Sequence, residues 1–190
     1  MGAFAALDRM RQDVLNAGLG LTIPVQLGIL QGVTRNEEEL GVRSKEEGLI
    51  ATANLMAGQS RIWLESVKNV KKGREICFFD GDKGECHLVS SVDQDSVVLE
   101  SYLDFSYRLE EVDIILLRKI SLFFDESSRI LRRKVNASPA QPLLEEVASF
   151  NFDHSSQSNL VRLSLGLEEN KEKNHEIFVF TKNTAMAHLH

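Results

Sequence analysis

Two cysteines on either side of a short turn are the side chains with the clearest chemical potential in this sequence. Cys77 and Cys86 flank the segment Asp80-Gly-Asp-Lys-Gly84. An Asp-Gly pair between apolar runs predicts a tight β-hairpin. A turn centred on Gly81 and Asp82 places the two cysteines opposite one another, where they are close enough to form a disulfide. A disulfide would place the domain outside the cytoplasm. Two reduced core cysteines are the alternative, and the sequence leaves both open.

The same turn carries three carboxylates, from Asp80, Asp82 and Glu85. Hard oxygen ligands at alternate positions are the kind that Ca²⁺ binds. The segment is shorter than a complete calcium-binding loop, and an Asp-Gly turn forms without metal. We therefore interpret it as a plain turn, with calcium as a weak alternative, and we expect no other metal or cofactor.

The histidines do not form a recognisable catalytic constellation. His154 lies between an aspartate and a serine, but neighbours in a strand point to opposite faces, so the two cannot both orient it as a triad requires. His87 follows Cys86 and faces away from it, which makes it a poor partner for a thiolate. Two further histidines, His188 and His190, lie in the C-terminal tail, which resembles a frayed end more than a metal site. We expect no catalytic residues and no enzyme.

Composition and charge limit the possible partners. The chain has 190 residues, of which 43% are hydrophobic, and this is enough for one core. Its net charge of -6 repels phosphate backbones, so nucleic acid is not an expected partner. No stretch approaches the ~20 consecutive apolar residues that a membrane helix needs.

A helix over residues 1–18 is the first element that the pattern predicts. Phe4, Leu7 and Val14 recur at three-and-four spacing, and this apolar side is the candidate helix-packing face. No capping residue precedes Ala3, so the helix looks cut rather than started. We therefore expect that a natural N-terminal segment has been removed.

Residues 19–58 read as an irregular connection, with one short helix or strand near Leu49–Met56. Strand signals dominate from Ser60 onward, and a short helical turn over Leu143–Val147, which Pro142 opens, interrupts them. Glu168–His175 reads as a hairpin loop. The predicted strands include Glu75–Phe79, Cys86–Val92 and Leu160–Leu167, in which Val161, Leu163 and Leu165 alternate with polar or small residues.

One helix followed by runs of strands predicts an α+β domain, with the helix packed on an antiparallel sheet. We expect a single domain over 1–190, divided into a helix (1–18), a variable connection and β-rich region (19–119), a C-terminal sheet (120–183) and a tail (184–190).

Several segments resemble the minor pilins of type IV pili, specifically the W type, whose nearest relative is the J-type pseudopilin of type II secretion. Leu7–Gly18 resembles the end of the family's first helix, where a charged stretch runs into Ala-Gly. Gly73–Val89 resembles its β-rich stretch with an Asp-Gly turn. The closest likeness is Ile120–Phe152, with two strands, a Pro-Leu turn and a Phe-x-Phe strand. Phe178–Asn183 resembles the terminal strand.

The resemblance implies a pilin-like fold and a structural role. Such a subunit helps to initiate or cap a type IV pilus or a type II secretion pseudopilus, by associating with other minor pilins and the major pilin. It would be periplasmic or part of an extracellular pilus. Before assembly it would be anchored in the inner membrane, and only through the N-terminal helix that is missing here. An extracellular adhesin or ligand-binding module is the alternative function.

Overall fold

The computed structural model describes residues 2–36, 38–155 and 159–181, and only the backbone of residues 170–173. The chain forms two compact units. Unit 1 contains the described residues of Met1–Thr22, Gln31–Ser44 and Lys119–His190, and unit 2 contains Ile23–Leu30 and Lys45–Arg118. The prediction of one domain over 1–190 is not tested by this division and stays a prediction.

Two helices and twelve strands make up the described chain. The helices are α1 (Ala3–Leu15) and α2 (Thr22–Gln26). The strands are β1 (Val33–Arg35), β2 (Glu39–Leu49), β3 (Arg61–Trp63), β4 (Glu75–Phe79), β5 (Gly84–Val92), β6 (Ser96–Leu99), β7 (Asp113–Asp125), β8 (Ile130–Val135), β9 (Gln141–Leu144), β10 (Val147–Ser155), β11 (Leu160–Leu167) and β12 (Asn170–Phe180). Neither helix is long and apolar enough to cross a bilayer.

Unit 1 is built around α1 and a three-stranded antiparallel sheet in the order β10-β11-β12. Alternate residues of β11 point into the core, and these are Val161, Leu163 and Leu165. Leu7 and Val14 of α1 join the same core, because residues seven apart return to one face of a helix. Other strand pairs in this unit include β1 with β2, β8 with the second half of β7, and β9 with β8.

A buried ion pair fixes α1 within unit 1. Asp13 is 5% exposed and lies on the core side of the helix. Arg133 of β8 donates to its carboxylate through Nε at 2.6 Å and through Nη2 at 2.9 Å. A two-point guanidinium–carboxylate contact of this kind sets orientation as well as distance. The helix therefore has a polar anchor in addition to its apolar face.

Unit 2 is an antiparallel arrangement in the order β7-β4-β5-β6-β3, to which β7 contributes its first half. Its core includes Ile76 and Phe78 of β4, Val89 of β5 and Val97 of β6. The Asp-Gly turn joins β4 to β5, as the hairpin signal predicts, and β4 has the predicted bounds.

The predicted α+β, pilin-like fold class is wrong. About half of the described residues lie in strands of two antiparallel sheets, and about a tenth lie in the two helices. The residues interpreted as an irregular connection, 19–58, contain α2, β1 and β2. The sequence of β2 is charged and lacks clear alternation, so its strand state depends on pairing with neighbours rather than on a local signal.

Two local predictions are also wrong. The predicted helical turn over Leu143–Val147 begins inside β9, which tolerates Pro142 because β9 pairs with β8 alone. The predicted loop over Glu168–His175 is largely strand, since β12 begins at Asn170. The tail at 184–190, with His188 and His190, lies outside the described residues.

Candidate functional site

Cys77 and Cys86 occupy directly opposed positions on β4 and β5 and are joined by a disulfide. The disulfide cross-links two strands that already form an antiparallel pair in the hairpin. Cys77 is fully buried, whereas Cys86 is partly exposed. The linkage therefore reinforces the hairpin that carries the predicted acidic cluster.

Removal of this disulfide should destabilise unit 2. We expect the double variant Cys77→Ser, Cys86→Ser to lose about 2–3 kcal/mol of unfolding free energy, because the closed loop is short. Urea denaturation followed by the fluorescence of Trp63, the single tryptophan of the chain and a unit 2 residue, would measure the loss. A reductant should produce a comparable loss in the unmodified protein and none in the variant; equal midpoints for all samples would contradict the prediction.

The structure does not bring Asp80, Asp82 and Glu85 together as a set of metal ligands. The carboxylate of Asp80 accepts hydrogen bonds from the backbone amides of Asp82, at 2.9 Å, and Lys83, at 3.0 Å, and so closes the turn. Glu85 is 8% exposed and is bonded to other groups. No group of three or more His, Cys, Asp or Glu side chains in the described part of the chain is arranged to hold a metal ion.

Glu85 is the centre of a buried polar cluster in unit 2. Its carboxylate accepts hydrogen bonds from the backbone amides of Asp104, at 2.8 Å, and Phe105, at 3.0 Å, and from the Tyr107 hydroxyl, at 3.1 Å. Burial alone would raise the pKa of Glu85, but these donors together with His87 bring it below its usual value. Burial and the nearby Glu85 charge raise the pKa of Tyr107, so the phenol stays protonated and donates.

His87 links this carboxylate to the surface. Its Nε2 lies 2.6 Å from Glu85 Oε2, and its Nδ1 lies 2.7 Å from Ser101 Oγ. An ionised carboxylate only accepts, so His87 Nε2 carries a proton and donates to Glu85; in the tautomer with a single proton, Nδ1 accepts from the Ser101 hydroxyl. The connection of hydroxyl, imidazole and carboxylate follows the order of a nucleophile, a base and an orienting acid. Two of the four groups on Glu85 are backbone amides, so the same carboxylate also fixes the loop after β6.

Sequence reasoning missed this cluster because Ser101 and Tyr107 lie far along the chain from the hairpin. One local signal was available. Glu85 and His87 alternate with outward-facing residues on β5 and share its inner face with Val89. Two polar residues at core positions require buried partners. His154 lies in β10, and burial lowers its pKa.

The candidate helix-packing face divides between the core and the surface. Leu7 and Val14 are buried in the core of unit 1, at 4% and 0% exposure, so they offer almost no surface to a partner. Phe4 is 78% exposed and makes an edge contact with His175 of β12, with the ring centroids 5.5 Å apart. Phe4 is therefore the one member of the predicted face that can be covered by another molecule.

A groove of about 310 Å³ lies beside Phe4, between α1 and β12. We call it the helix–edge groove. Ile177 and the flank of Leu7 provide its apolar part, and charged side chains stand around it. Its lining residues are Phe4, Leu7, Asp8, Arg11, His175, Glu176 and Ile177.

No protein-family model matches the chain. No curated protein matches it. Two solved structures are similar over part of its length. The Gp54 tailspike of Acinetobacter baumannii bacteriophage AP22, solved in complex with A. baumannii capsular saccharide, is 18% identical, with 40% of this chain and 15% of that chain covered and a TM-score of 0.36. The tailspike protein gp49 from Pseudomonas phage LKA1 is 25% identical, with 36% and 14% covered and a TM-score of 0.31. The chain spans about one seventh of the length of these proteins, and TM-scores this low carry no argument about fold or ligand.

Proposed function

We propose that this chain is a minor pilin or pseudopilin subunit, which helps to initiate or cap a filament by associating with other minor pilins and the major pilin. The proposal rests on the sequence resemblance, closest over Ile120–Phe152, and on the helix–edge groove of unit 1. It does not use the α+β fold class, which was wrong. Its mechanism is association, without a catalytic step.

The exposure of Phe4 is the observation that carries the proposal. A phenyl ring that is 78% exposed on a short helix, with one edge contact to His175, has most of its apolar surface in water. Burying such a ring against a partner contributes about 1.5–3 kcal/mol. Aromatic residues at the centre of an apolar patch are the usual anchors of protein interfaces.

The surroundings of Phe4 have the composition of an interface. Ile177 adds apolar surface, and Asp8 and Arg11 place one charge of each sign at the side of the groove. Apolar centres with a polar rim are typical of association surfaces between subunits. In the described part of the chain β12 pairs with β11 alone, so its outer edge is open to an additional strand.

Photochemical cross-linking at position 4 tests this assignment. With p-benzoylphenylalanine in place of Phe4, in the protein expressed from its natural gene in its own host, we expect adducts with pilin-type subunits. We also expect Phe4→Glu to lower co-purification of those subunits about tenfold or more, because a charge in the groove opposes burial. Mass spectrometry of the adducts identifies the partner.

Gln12 and Phe105 are the matched control positions. Gln12 is exposed on the same helix, and Phe105 is a 40% exposed aromatic residue of unit 2. The same cross-linker at either position should give few pilin adducts. Equal adducts from Phe4 and Gln12, or full partner recovery with Phe4→Glu, would overturn the proposal.

A further inference from the structure

The outer face of the β10-β11-β12 sheet in unit 1 contains a polar trough. Along the central strand β11 the outward residues Ser164 and Gly166 are small. Larger side chains stand on both sides, since Asn151 of β10 and Glu176 of β12 pair with Ser164. A row of large, small and large side chains across a sheet leaves a channel over the middle strand. Its volume is about 270 Å³.

The sheet trough is defined by six polar side chains: Asn151, Asp153, Arg162, Ser164, Asn174 and Glu176. The trough ends at Gly166, where side chains of β10 and β12 close over β11. A Cβ on Gly166 would lie 2.5 Å from Ser149 Oγ, closer than such atoms approach, and 3.0 Å from Asn174 Oδ1, which is a tight contact. The absence of a side chain at Gly166 therefore lets this hydroxyl and this amide lie close to the backbone of β11 at the end of the trough.

The charges on this face balance one another. Glu176 forms an ion pair with Arg162. Asp153 forms one with Arg35, with Oδ1 3.2 Å from Nη1. Two carboxylates and two guanidinium groups leave no net charge, so neither a cation nor an anion is favoured. Polar surface with balanced charge suits a neutral ligand that both donates and accepts hydrogen bonds.

Two side-chain amides in the trough keep their hydrogen-bonding capacity for a ligand. Asn151 and Asn174 make no side-chain hydrogen bond to another described residue, and each offers one acceptor and two donor hydrogens. They lie on opposite sides of β11, because they belong to β10 and β12. A ligand that lies along the trough can meet both amides at once.

Exposed aromatic rings continue the trough along β12. Phe178 is 58% exposed and Phe180 is 65% exposed, and as alternate residues they share the outer face with Glu176. The Arg162 guanidinium carbon lies 5.9 Å from the centroid of the Phe178 ring, so this ring directly adjoins the polar groups. The two phenyl faces can pack against the apolar C–H face of a ligand. The polar side chains beside them can form hydrogen bonds with hydroxyl groups at the edge of the same ligand.

We propose that the sheet trough, extended by Phe178 and Phe180, binds a neutral saccharide chain. The pyranose rings lie against the phenyl faces, and their hydroxyl groups bond to Asn151, Asn174 and the carboxylates of the trough. The aromatic and amide groups of this site lie on the other face of β12 from His175 and Ile177, and among the described residues Glu176 is the one that borders both the trough and the helix–edge groove. The site adds ligand binding to a subunit whose proposed role is association.

Titration with neutral hexasaccharides tests the site. The probes are cellohexaose, maltohexaose and chitohexaose, added to the isotopically labelled whole chain and followed by amide chemical shifts. We expect at least one probe to shift resonances of β10, β11 and β12 and to leave those of unit 2 unchanged. Phe178→Ala should weaken binding about tenfold, because one aromatic stacking contact is lost. The double variant Asn151→Ala, Asn174→Ala should weaken it by a similar factor.

Phe4→Ala and Phe105→Ala are the controls, since each removes an exposed aromatic side chain elsewhere. Both should bind the probe as the unmodified protein does. The inference is overturned if no probe shifts the sheet resonances, if the shifts lie outside the sheet, or if Phe178→Ala binds unchanged with an unchanged melting temperature. Preferred binding of an oligogalacturonide or a lysine-rich peptide would also overturn it, because it would show a charged ligand. None of these results affects the cross-linking test at Phe4.

Discussion

Asp13→Asn should lower the unfolding free energy of unit 1 by about 3–5 kcal/mol, because it leaves the guanidinium of Arg133 buried without its counter-charge. The Arg133 side chain is 13% exposed, so water cannot replace the lost carboxylate effectively. The asparagine side chain has one acceptor oxygen, so it can accept from only one of the two Arg133 donors, Nε or Nη2. Urea denaturation followed by far-UV circular dichroism measures the loss, and amide hydrogen exchange in α1 assigns it to this helix.

Two further variants make that result specific. Asp8→Asn removes an exposed carboxylate from the same helix and should change stability by no more than about 0.5 kcal/mol. Asp13→Leu combined with Arg133→Met replaces both charges with apolar groups and should recover most of the lost stability. If this double variant is as unstable as Asp13→Asn, the cost does not come from the unpaired guanidinium.

Glu85→Gln is the second change with a large expected effect, a loss of about 3–4 kcal/mol from unit 2. The carboxylate accepts from two backbone amides, a phenol and an imidazole, whereas a carboxamide has one acceptor oxygen and points donor hydrogens at other donors. Trp63 fluorescence during urea denaturation reports the loss. Limited proteolysis should cut the segment around Asp104 earlier in the variant, since its anchor is gone.

Glu100→Gln is the matched control for this position. Glu100 is exposed at the start of the same loop, so its replacement should leave stability and proteolysis close to those of the unmodified chain. An equal loss for both variants would mean that the net charge of the segment, rather than the Glu85 hydrogen bonds, is responsible.

The stabilising effect of Glu85 should also depend on pH. Its pKa in the folded protein is lowered from an ordinary value of 4.5, so folding favours the ionised form. The contribution is then complete above that ordinary value and disappears as the pH falls through the lowered pKa. The stability difference between the unmodified chain and Glu85→Gln should be constant near neutral pH and shrink below about pH 4.5. A difference that grows on acidification would contradict this sign.

Local sequence signals predicted the β4-β5 hairpin and strand β11. Strand β2 and the Glu85 cluster depend on contacts between residues far apart in sequence, so local signals did not predict them. The bounds of β4 and the opposition of Cys77 to Cys86 followed from one Asp-Gly turn and the two-residue period of strands. The alternation of Val161, Leu163 and Leu165 identified β11 and its buried face. Both features depend on residues close together in sequence.

The features that escaped prediction depend on distant partners. β2 carries five charged residues in eleven and has no alternating apolar pattern that could identify it. The Ser101 hydroxyl reaches His87 across fourteen positions, and Tyr107 reaches Glu85 across twenty-two. The sheet trough likewise needs the register of three strands, which places small residues of β11 between larger ones.

The division of the chain has a consequence for the order of folding. Every residue of unit 2 has been synthesised once Arg118 is in place, whereas unit 1 still needs the strands from β8 to β12. Leu7 and Val14 of α1 leave the ribosome before all of unit 2, yet their core partner Leu163 follows roughly 150 positions later. At 5–20 residues per second this gap lasts on the order of ten seconds. Unit 2 can therefore fold during synthesis, while the apolar face of α1 needs protection until the last strands arrive.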